Sequence, residues 1–218
     1  MIEQAMNTIA VIPVKRFDEA KERLAGPVDA ETRARLAQAM LEDVLASLDD
    51  SRMIFGRIVV TSDEAAASIA RSHGCQVVDD SGSVGHSEAA AIGTEAAIES
   101  GAERVLLLAG DCPLLNPREI DHLLTSAPDE GVAIVRDRHG TGTNALLISP
   151  PKAIEPAFGE GSAQRHRRIA REKGVLASFE DLPSLALDID EPADLVALTL
   201  KLEAGASGGP RTARVLGV

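Results

Sequence analysis

The sequence is poor in aromatic residues, with four Phe, no Trp and no Tyr. It therefore offers almost nothing from which a stacking platform for single-stranded nucleic acid could be built. Positive charge is also scarce: 22 Lys and Arg face 34 Asp and Glu, a formal net charge of −12. Because proteins that bind DNA or RNA are usually basic, we expect no nucleic-acid partner. Backbone groups and aliphatic side chains would have to hold any bound base.

Cysteines and long apolar runs are equally rare. Cys75 and Cys112 stand far apart without a CxxC or Cys/His ligand spacing, so we expect two buried thiols and no zinc site. No apolar run approaches the roughly 20 residues that span a bilayer, which predicts no membrane partner. The first residues, MIEQAMNTIAVIPV, lack a basic region followed by a long apolar core, so we expect no signal peptide and a cytoplasmic protein.

Short apolar runs alternate with amphipathic segments along the 218 residues. The pattern predicts strands at 8–14, 57–61, 75–78, 104–109, 132–135, 145–149, 175–179 and 185–189. It predicts helices at 29–48, 63–72, 87–100, 117–126, 161–173 and 192–203. We therefore expect an α/β fold with three layers, a mostly parallel sheet covered by helices on both faces. Residues 1–204 would form a single domain, and residues 205–218, rich in Gly, Ser and Pro, a loose tail.

Sheets of this type bind ligands beyond the carboxyl ends of their strands, so the residues that follow each strand are candidates for the site. Lys15 follows the first strand, a Gly-rich loop at 79–87 the third, Asp111 the fourth, and Asp188 and Asp190 the last. Cations and glycine-rich backbone can hold phosphates, and carboxylates can hold Mg²⁺. This combination indicates phosphoryl chemistry.

The motifs occur in a characteristic order. They are PVK…KERL, a Gly-rich loop near residue 82, LLLAGDCPLL, GTGTNAL, FGEGSAQRHRRIA and LDIDEPADL. In this order they resemble the guanylyltransferase family of coenzyme F420 biosynthesis, over about residues 8–200. The resemblance implies a Rossmann-like fold of the nucleotide-diphospho-sugar transferase type. It also implies transfer of GMP from GTP to 2-phospholactate, phosphoenolpyruvate or a near relative such as 3-phosphoglycerate.

The resemblance assigns the metal site to two aspartates. Asp111, in the GDxP segment, and Asp190, in DxDEPxDL, would bind Mg²⁺. Asp111 could instead cap a turn, and Asp190 could cap the following helix. Asp188 competes with Asp190, because residues 188 and 190 would share one face of a strand.

The nucleotide would be bound by the first loop and by the Gly-rich loop. Lys15 would contact the triphosphate and stabilise the departing pyrophosphate, and Arg23 would assist, unless both belong to a solvated basic loop. The remaining candidates for the base or ribose are Ser81, Gly82, Gly85 and Ser87. The loop could equally be an ordinary turn. His86-Ser87-Glu88 departs here from the Leu-Asn expected in the family, which puts the base preference in doubt.

The acceptor acid would be bound by the GTGTN and FGEGS segments. Thr143 and Asn144 belong to the first segment, which could also be a simple hairpin turn. Gly159 and Ser162 belong to the second, where Ser162 would cap a helix whose free N–H groups can bind an anion. We interpret His166 as structural or hydrogen-bonded, since a phosphate nucleophile needs no general base.

These assignments predict direct attack of an acceptor phosphate on the α-phosphorus of GTP. Two alternatives remain open from the residues alone. One is a related transferase with another acceptor, such as a molybdopterin nucleotidyltransferase. The other is a nucleotide-sensing domain without catalysis. The sequence also leaves the oligomeric state open, with a homodimer as one alternative.

Overall fold

A computed structural model of the protein describes residues 6–80 and 85–218. The strands are β1 (Thr8–Pro13), β2 (Gly56–Val60), β3 (Gln76–Val78), β4 (Arg104–Leu108), β5 (Gly131–Arg136), β6 (Thr143–Ser149) and β7 (Ala177–Glu180). The helices are α1 (Ala30–Asp49), α2 (Glu64–Ser72), α3 (His86–Glu99), α4 (Pro117–Ser126), α5 (Ser162–Glu172), α6 (Pro192–Glu203) and α7 (Pro210–Leu216). A 3₁₀ turn at Glu22–Leu24 lies between β1 and α1.

The seven strands form one sheet in the order β3-β2-β1-β4-β6-β5-β7. Strands β1 to β4 run parallel, β6 is antiparallel to both of its neighbours, and β7 is parallel to β5. The predicted α/β fold with a mostly parallel sheet is therefore confirmed. The most apolar strand, β4, lies at the centre, as its composition indicates.

Alternate residues of each central strand point to opposite faces of the sheet. In β1, Ala10 and Ile12 pack with α1, α2 and α4 on one face, whereas Ile9 and Val11 pack with α3 and α5 on the other. All of β1 is buried, which explains why its sequence is a continuous apolar run rather than an alternating one. The result is the expected three-layer arrangement.

Helix α1 has a side-chain cap at its start and a buried apolar face. The Asp29 side chain accepts a hydrogen bond from the Thr32 N–H and so caps the helix. Leu36 and Val44, on the apolar face, are at most 1% exposed. None of the helices in the described residues combines the length and the apolar character needed to cross a bilayer.

The expectation of a loose tail after Gly205 is wrong for Pro210–Leu216, which form α7 against α1. The buried carboxylate of Asp43 accepts hydrogen bonds from the Thr212 N–H at 2.8 Å and from its hydroxyl at 2.7 Å. Gly209, with φ 65°, gives the chain the left-handed turn that starts this helix. The glycines that favoured a flexible tail therefore serve a packed turn.

The expected strand at 185–189 is also absent from this part of the chain. Leu185, Leu187 and Ile189 alternate as buried residues, which produced the strand-like pattern. They pack on side chains beside the sheet, and the Leu185 carbonyl accepts a hydrogen bond from the Asn144 side chain rather than from a neighbouring strand.

Candidate active site

A cleft of about 720 Å³ lies at one edge of the sheet. The carboxyl ends of β1, β4 and β5 and the start of β6 meet at this edge, because β6 alone among these four strands runs in the opposite direction. The loops that follow these strands line the cleft, together with the start of α5 and the segment before α6. This is where sequence reasoning placed the ligand.

Lys21 connects the two aspartates proposed for the metal. Its Nζ donates to Asp111 Oδ2 and, at 3.0 Å, to Asp190 Oδ1. Asp111 and Asp190 stand 79 positions apart in the sequence, and the fold brings them to one ammonium group. Burial by itself would lower the pKa of Lys21, but the charges and hydrogen bonds of the two carboxylates outweigh it and raise that pKa.

The backbone at Lys21 has an unusual conformation. With φ 59° it lies in the left-handed region, which costs roughly 1–2 kcal/mol for a residue with a Cβ. The 3₁₀ turn that follows buries Leu24 completely. The buried Leu24 and the two ion pairs offset this cost, and together they direct the Lys21 side chain into the cleft.

Asp188 and Asp190 have different partners. Asp190 contacts Lys21, whereas Asp188 accepts a hydrogen bond from Asn144 Nδ2 at 3.1 Å. Burial, followed by the charge of Asp111, raises the pKa of Asp188 to about 6. The predicted face shared by 188 and 190 does not exist, because this segment is not a strand. Asn144 also lines the cleft, but its amide donates to Asp188 and to the Leu185 carbonyl.

The Asp190 backbone is held by the start of α6. Asp194 Oδ2 accepts hydrogen bonds from the N–H groups of Asp190, at 3.0 Å, and Glu191, at 2.7 Å. Arg138, from the β5–β6 loop, pairs with the other oxygen of Asp194 at 2.6 Å. Asp190 is therefore not the helix cap considered from the sequence; Glu191 occupies that position.

The predicted acceptor residues lie together on another wall of the cleft. The Ser162 hydroxyl donates to Thr143 Oγ1 at 3.0 Å, and Thr143 Oγ1 lies 3.2 Å from His166 Nδ1. Gly159, with φ 110°, lines the same wall. The prediction that Ser162 caps α5 is wrong, because Gly161, with φ 69°, occupies the cap position. The Ser162 hydroxyl is thereby available to Thr143.

The predicted nucleotide residues are more dispersed. Lys15 and Arg23 are exposed and line the cleft, and Arg23 lies 3.7 Å from Glu191. Gly85 precedes α3, and the Ser87 hydroxyl accepts a hydrogen bond from the Phe158 N–H at 2.8 Å. His86, rather than Ser87, lines the cleft. Ser81 and Gly82 lie outside the described residues.

Lys21 received no role from the sequence, and for His86 the sequence left two alternatives, part of the contact with the base or ribose or a surface position. Lys21 is part of the KERL motif, but nothing in the motif distinguishes its ammonium from that of Lys15. His86 packs its ring edge-on against Phe158, with centroids 4.8 Å apart, and burial lowers the pKa of His86. The signal for His86 was its departure from the family's Leu-Asn pattern.

Asp111 and Asp190 suit a Mg²⁺ ion. Their oxygens reach one common ammonium, so they can reach one common metal ion. Within the described residues, no group of three or more His, Cys, Asp or Glu side chains is arranged to hold a metal. Because Mg²⁺ is usually bound by one or two carboxylates with phosphates and water, two aspartates are sufficient.

Comparison with known proteins identifies the family of the chain. Residues 8–207 match the family described as "Guanylyl transferase CofC like". The phosphoenolpyruvate guanylyltransferase of Conexibacter woesei is 41% identical over 213 residues, which cover 97% of this chain and 96% of that protein. The enzyme of the same name from Sphaerobacter thermophilus is 39% identical, over 93% of this chain and 97% of that protein.

Solved structures with the same fold are more distant in sequence. A putative nucleotide-diphospho-sugar transferase from Desulfovibrio desulfuricans superimposes with a TM-score of 0.77 at 16% identity, covering 97% and 95% of the two chains. A nucleotidyl transferase from Methanothermobacter gives a TM-score of 0.63 at 19% identity, covering 88% and 95%. The family match over residues 8–207 and the relatives at 41% and 39% identity show that the chain belongs to the CofC-like guanylyl transferase family and is a nucleotidyltransferase.

Proposed function

We propose that the protein transfers GMP from GTP to a small phosphorylated acid, with Mg²⁺ as cofactor and release of pyrophosphate, in coenzyme F420 biosynthesis. The acceptor is phosphoenolpyruvate, 2-phospho-L-lactate or 3-phosphoglycerate. The observation that carries the proposal is the convergence of Asp111 and Asp190 on one cation position, in a cleft that also contains the Thr143 and Ser162 hydroxyls. The names of the relatives from Conexibacter and Sphaerobacter favour phosphoenolpyruvate.

The metal ligands, the lysines and the hydroxyl groups of the cleft have different roles in the transfer. Asp111 and Asp190 hold the metal, which when bound lowers the negative charge of the nucleotide phosphates. Lys15 stabilises the charge that develops on pyrophosphate. Lys21, whose Nζ lies between the two carboxylates, would supply a second side-chain cation for the phosphates. Thr143 and Ser162 orient the acceptor, so that its phosphate oxygen attacks the α-phosphorus in line with the departing pyrophosphate.

The arrangement favours direct transfer over a covalent enzyme intermediate. Thr143 lies next to a histidine, as a nucleophile and its base would. However, His166 Nε2 accepts a hydrogen bond from the Ala157 N–H at 2.9 Å, so its one proton sits on Nδ1, the nitrogen that faces Thr143. A nitrogen that carries a proton cannot remove one from the Thr143 hydroxyl.

Pyrophosphate release tests the proposal. The protein is supplied with Mg²⁺, GTP and each of the three acceptors in turn, and the acceptor that works is tested again with ATP and CTP. Release that requires both GTP and a phosphoacid is the expected result. Absence of release with every pair, in protein shown to be folded, would overturn the proposal.

Asp111→Asn tests the metal site. We expect it to lower kcat by about 100-fold or more, since a principal charge that holds the metal is lost. Asp181→Asn is the matched control, because Asp181 is 85% exposed and pairs only with Arg136 among the ion pairs of the described residues. Full activity of Asp111→Asn would show that Asp111 does not bind the metal.

A further inference from the structure

His166 is fully buried at the back of the acceptor wall, on α5. Its ring lies edge-on to Phe158, with centroids 5.2 Å apart. Both ring nitrogens have partners, Thr143 at the start of β6 and the Ala157 N–H in the loop before α5. His166 thus connects three separate pieces of the chain that form the wall.

The hydrogen bond from Ala157 determines which nitrogen of His166 carries the proton. A backbone N–H can only donate, so Nε2 must present its lone pair. A neutral imidazole then has its proton on Nδ1, and Nδ1 donates to Thr143 Oγ1. Burial, followed by the charge of Arg165, lowers the pKa of His166 to about 4, so the ring is neutral near pH 7.

The hydrogen bond from His166 Nδ1 to Thr143 Oγ1 determines whether the Thr143 and Ser162 hydroxyls can donate to a ligand. Thr143 Oγ1 accepts from His166 Nδ1 and from the Ser162 hydroxyl, which uses both of its lone pairs. Thr143 and Ser162 have two hydroxyl protons between them, and one is used in their mutual hydrogen bond. The remaining proton, on Thr143, is free to donate to an oxygen in the cleft.

We propose that His166 is a positioning residue, which turns the Thr143 hydroxyl into a hydrogen-bond donor for an anionic oxygen of the acceptor. The inference rests on the proposed function and names the group that prepares this subsite. With the opposite tautomer, Nδ1 would accept the Thr143 proton, and the wall would offer no donor at this point. His166 is fully buried and does not line the cleft, whereas Thr143 does, so His166 acts through Thr143.

Two substitutions separate the two hydrogen bonds of His166. In His166→Asn the amide nitrogen can take the place of Nδ1 and still donate to Thr143, while the contact with Ala157 is lost. In His166→Gln the amide oxygen can take the place of Nε2 and still accept from Ala157, while the donor to Thr143 is lost. Both variants replace the imidazole ring with an uncharged amide side chain, so both lose the packing of the ring. Each variant therefore serves as the packing control of the other.

Steady-state kinetics and thermal unfolding are measured for both variants. We expect His166→Gln to raise the KM for the phosphoacid about tenfold, the effect of weakening one hydrogen bond to a charged group, with the KM for GTP within about twofold. His166→Asn should raise the phosphoacid KM less than His166→Gln does. In a Thr143→Val background, His166→Gln should have almost no further effect on that KM, because both changes remove the same donor.

Equal changes of the phosphoacid KM in the two variants, or none in either, would overturn the inference and leave His166 a packing residue. Calorimetric binding of each phosphoacid, with Mg²⁺ and α,β-methylene GTP, decides the question without turnover. Weaker binding in His166→Gln than in His166→Asn supports the inference even if no pyrophosphate is released, an outcome that would overturn only the proposed function. If neither substitution changes turnover or phosphoacid binding, only the inference is overturned. If the unmodified protein binds no phosphoacid, the inference and the proposed function are both overturned.

Discussion

Lys21→Met tests the central feature of the cleft. The substitution keeps an unbranched side chain but removes the ammonium shared by Asp111 and Asp190. Removing one partner of a fully buried ion pair costs about 3–5 kcal/mol, and a surface pair is worth about 0–1 kcal/mol. The Lys21 side chain is 8% exposed, but those of Asp111 and Asp190 are 26% and 50% exposed. We therefore expect an intermediate loss, about 2 kcal/mol of unfolding free energy without Mg²⁺.

Mg²⁺ should stabilise Lys21→Met and the unmodified protein to different extents. In the variant the carboxylates repel each other, and the ion can neutralise them without first displacing an ammonium. A ligand at about 100 times its dissociation constant stabilises the folded state by about 2.7 kcal/mol. Since Lys21 competes for the same oxygens in the unmodified protein, Mg²⁺ should stabilise Lys21→Met more than it stabilises that protein.

Urea denaturation with and without Mg²⁺ measures both effects. Lys152→Met is the control, because the Lys152 side chain is 65% exposed and pairs with Glu95 on the surface, so its removal should cost no more than about 1 kcal/mol. A loss for Lys21→Met as small as that of the control would refute the role of the ammonium between the carboxylates. An equal response of both proteins to Mg²⁺ would refute the assignment of these aspartates to a cation site.

Two further predictions concern stability. Because the pKa of His166 is about 4 in the folded state against an ordinary 6.5, the unfolded chain binds the extra proton first as the pH falls. The contribution of neutral His166 to the unfolding free energy is fully present above pH 6.5 and should be lost between pH 6.5 and 4, by about 3 kcal/mol. Urea denaturation across this pH range measures the loss. An equal pH dependence in His166→Asn would contradict the prediction. Gly93→Ala should lower the unfolding free energy by about 2 kcal/mol. A Cβ at this position would lie 2.3 Å from Val11 Cγ1 and 2.7 Å from Val60 Cγ2, and both distances are steric clashes. The cost of these clashes outweighs the roughly 1 kcal/mol that alanine gains over glycine in helix propensity. A variant as stable as the unmodified protein would show that α3 can move away from the sheet.

Most of the fold follows from local sequence patterns. The strand at 8–14 and the helix at 29–48 were predicted from patterns within a single element, and the structure agrees with both. The exception at 185–189 is instructive. Alternating apolar residues predict that every second side chain is buried. A strand also needs a neighbouring strand to pair with, and the periodicity of the sequence carries no information about that neighbour.

The glycines after Gly205 show the same limit at the end of the chain. Composition alone favours a loose tail there, since glycine is the most flexible residue. The decisive group is the buried carboxylate of Asp43, which stands about 169 positions before Thr212 and binds its N–H and hydroxyl. The sequence around Thr212 contains no local pattern that predicts Asp43 as its hydrogen-bond partner.

The sequence by itself placed Lys15 and Asp111 after β1 and β4, whose carboxyl ends meet at one edge of the sheet. Asp190 lies at the same edge although the strand predicted before it is absent from this part of the chain. Only the tertiary structure decided how they are connected. It turned Lys21 into the cleft through a left-handed backbone, put Asp190 rather than Asp188 beside it, and set the His166 proton toward Thr143. The strand pattern determines at which edge of the sheet a residue lies. Which charge it meets, and which nitrogen carries a proton, depends on groups that are far apart in the chain.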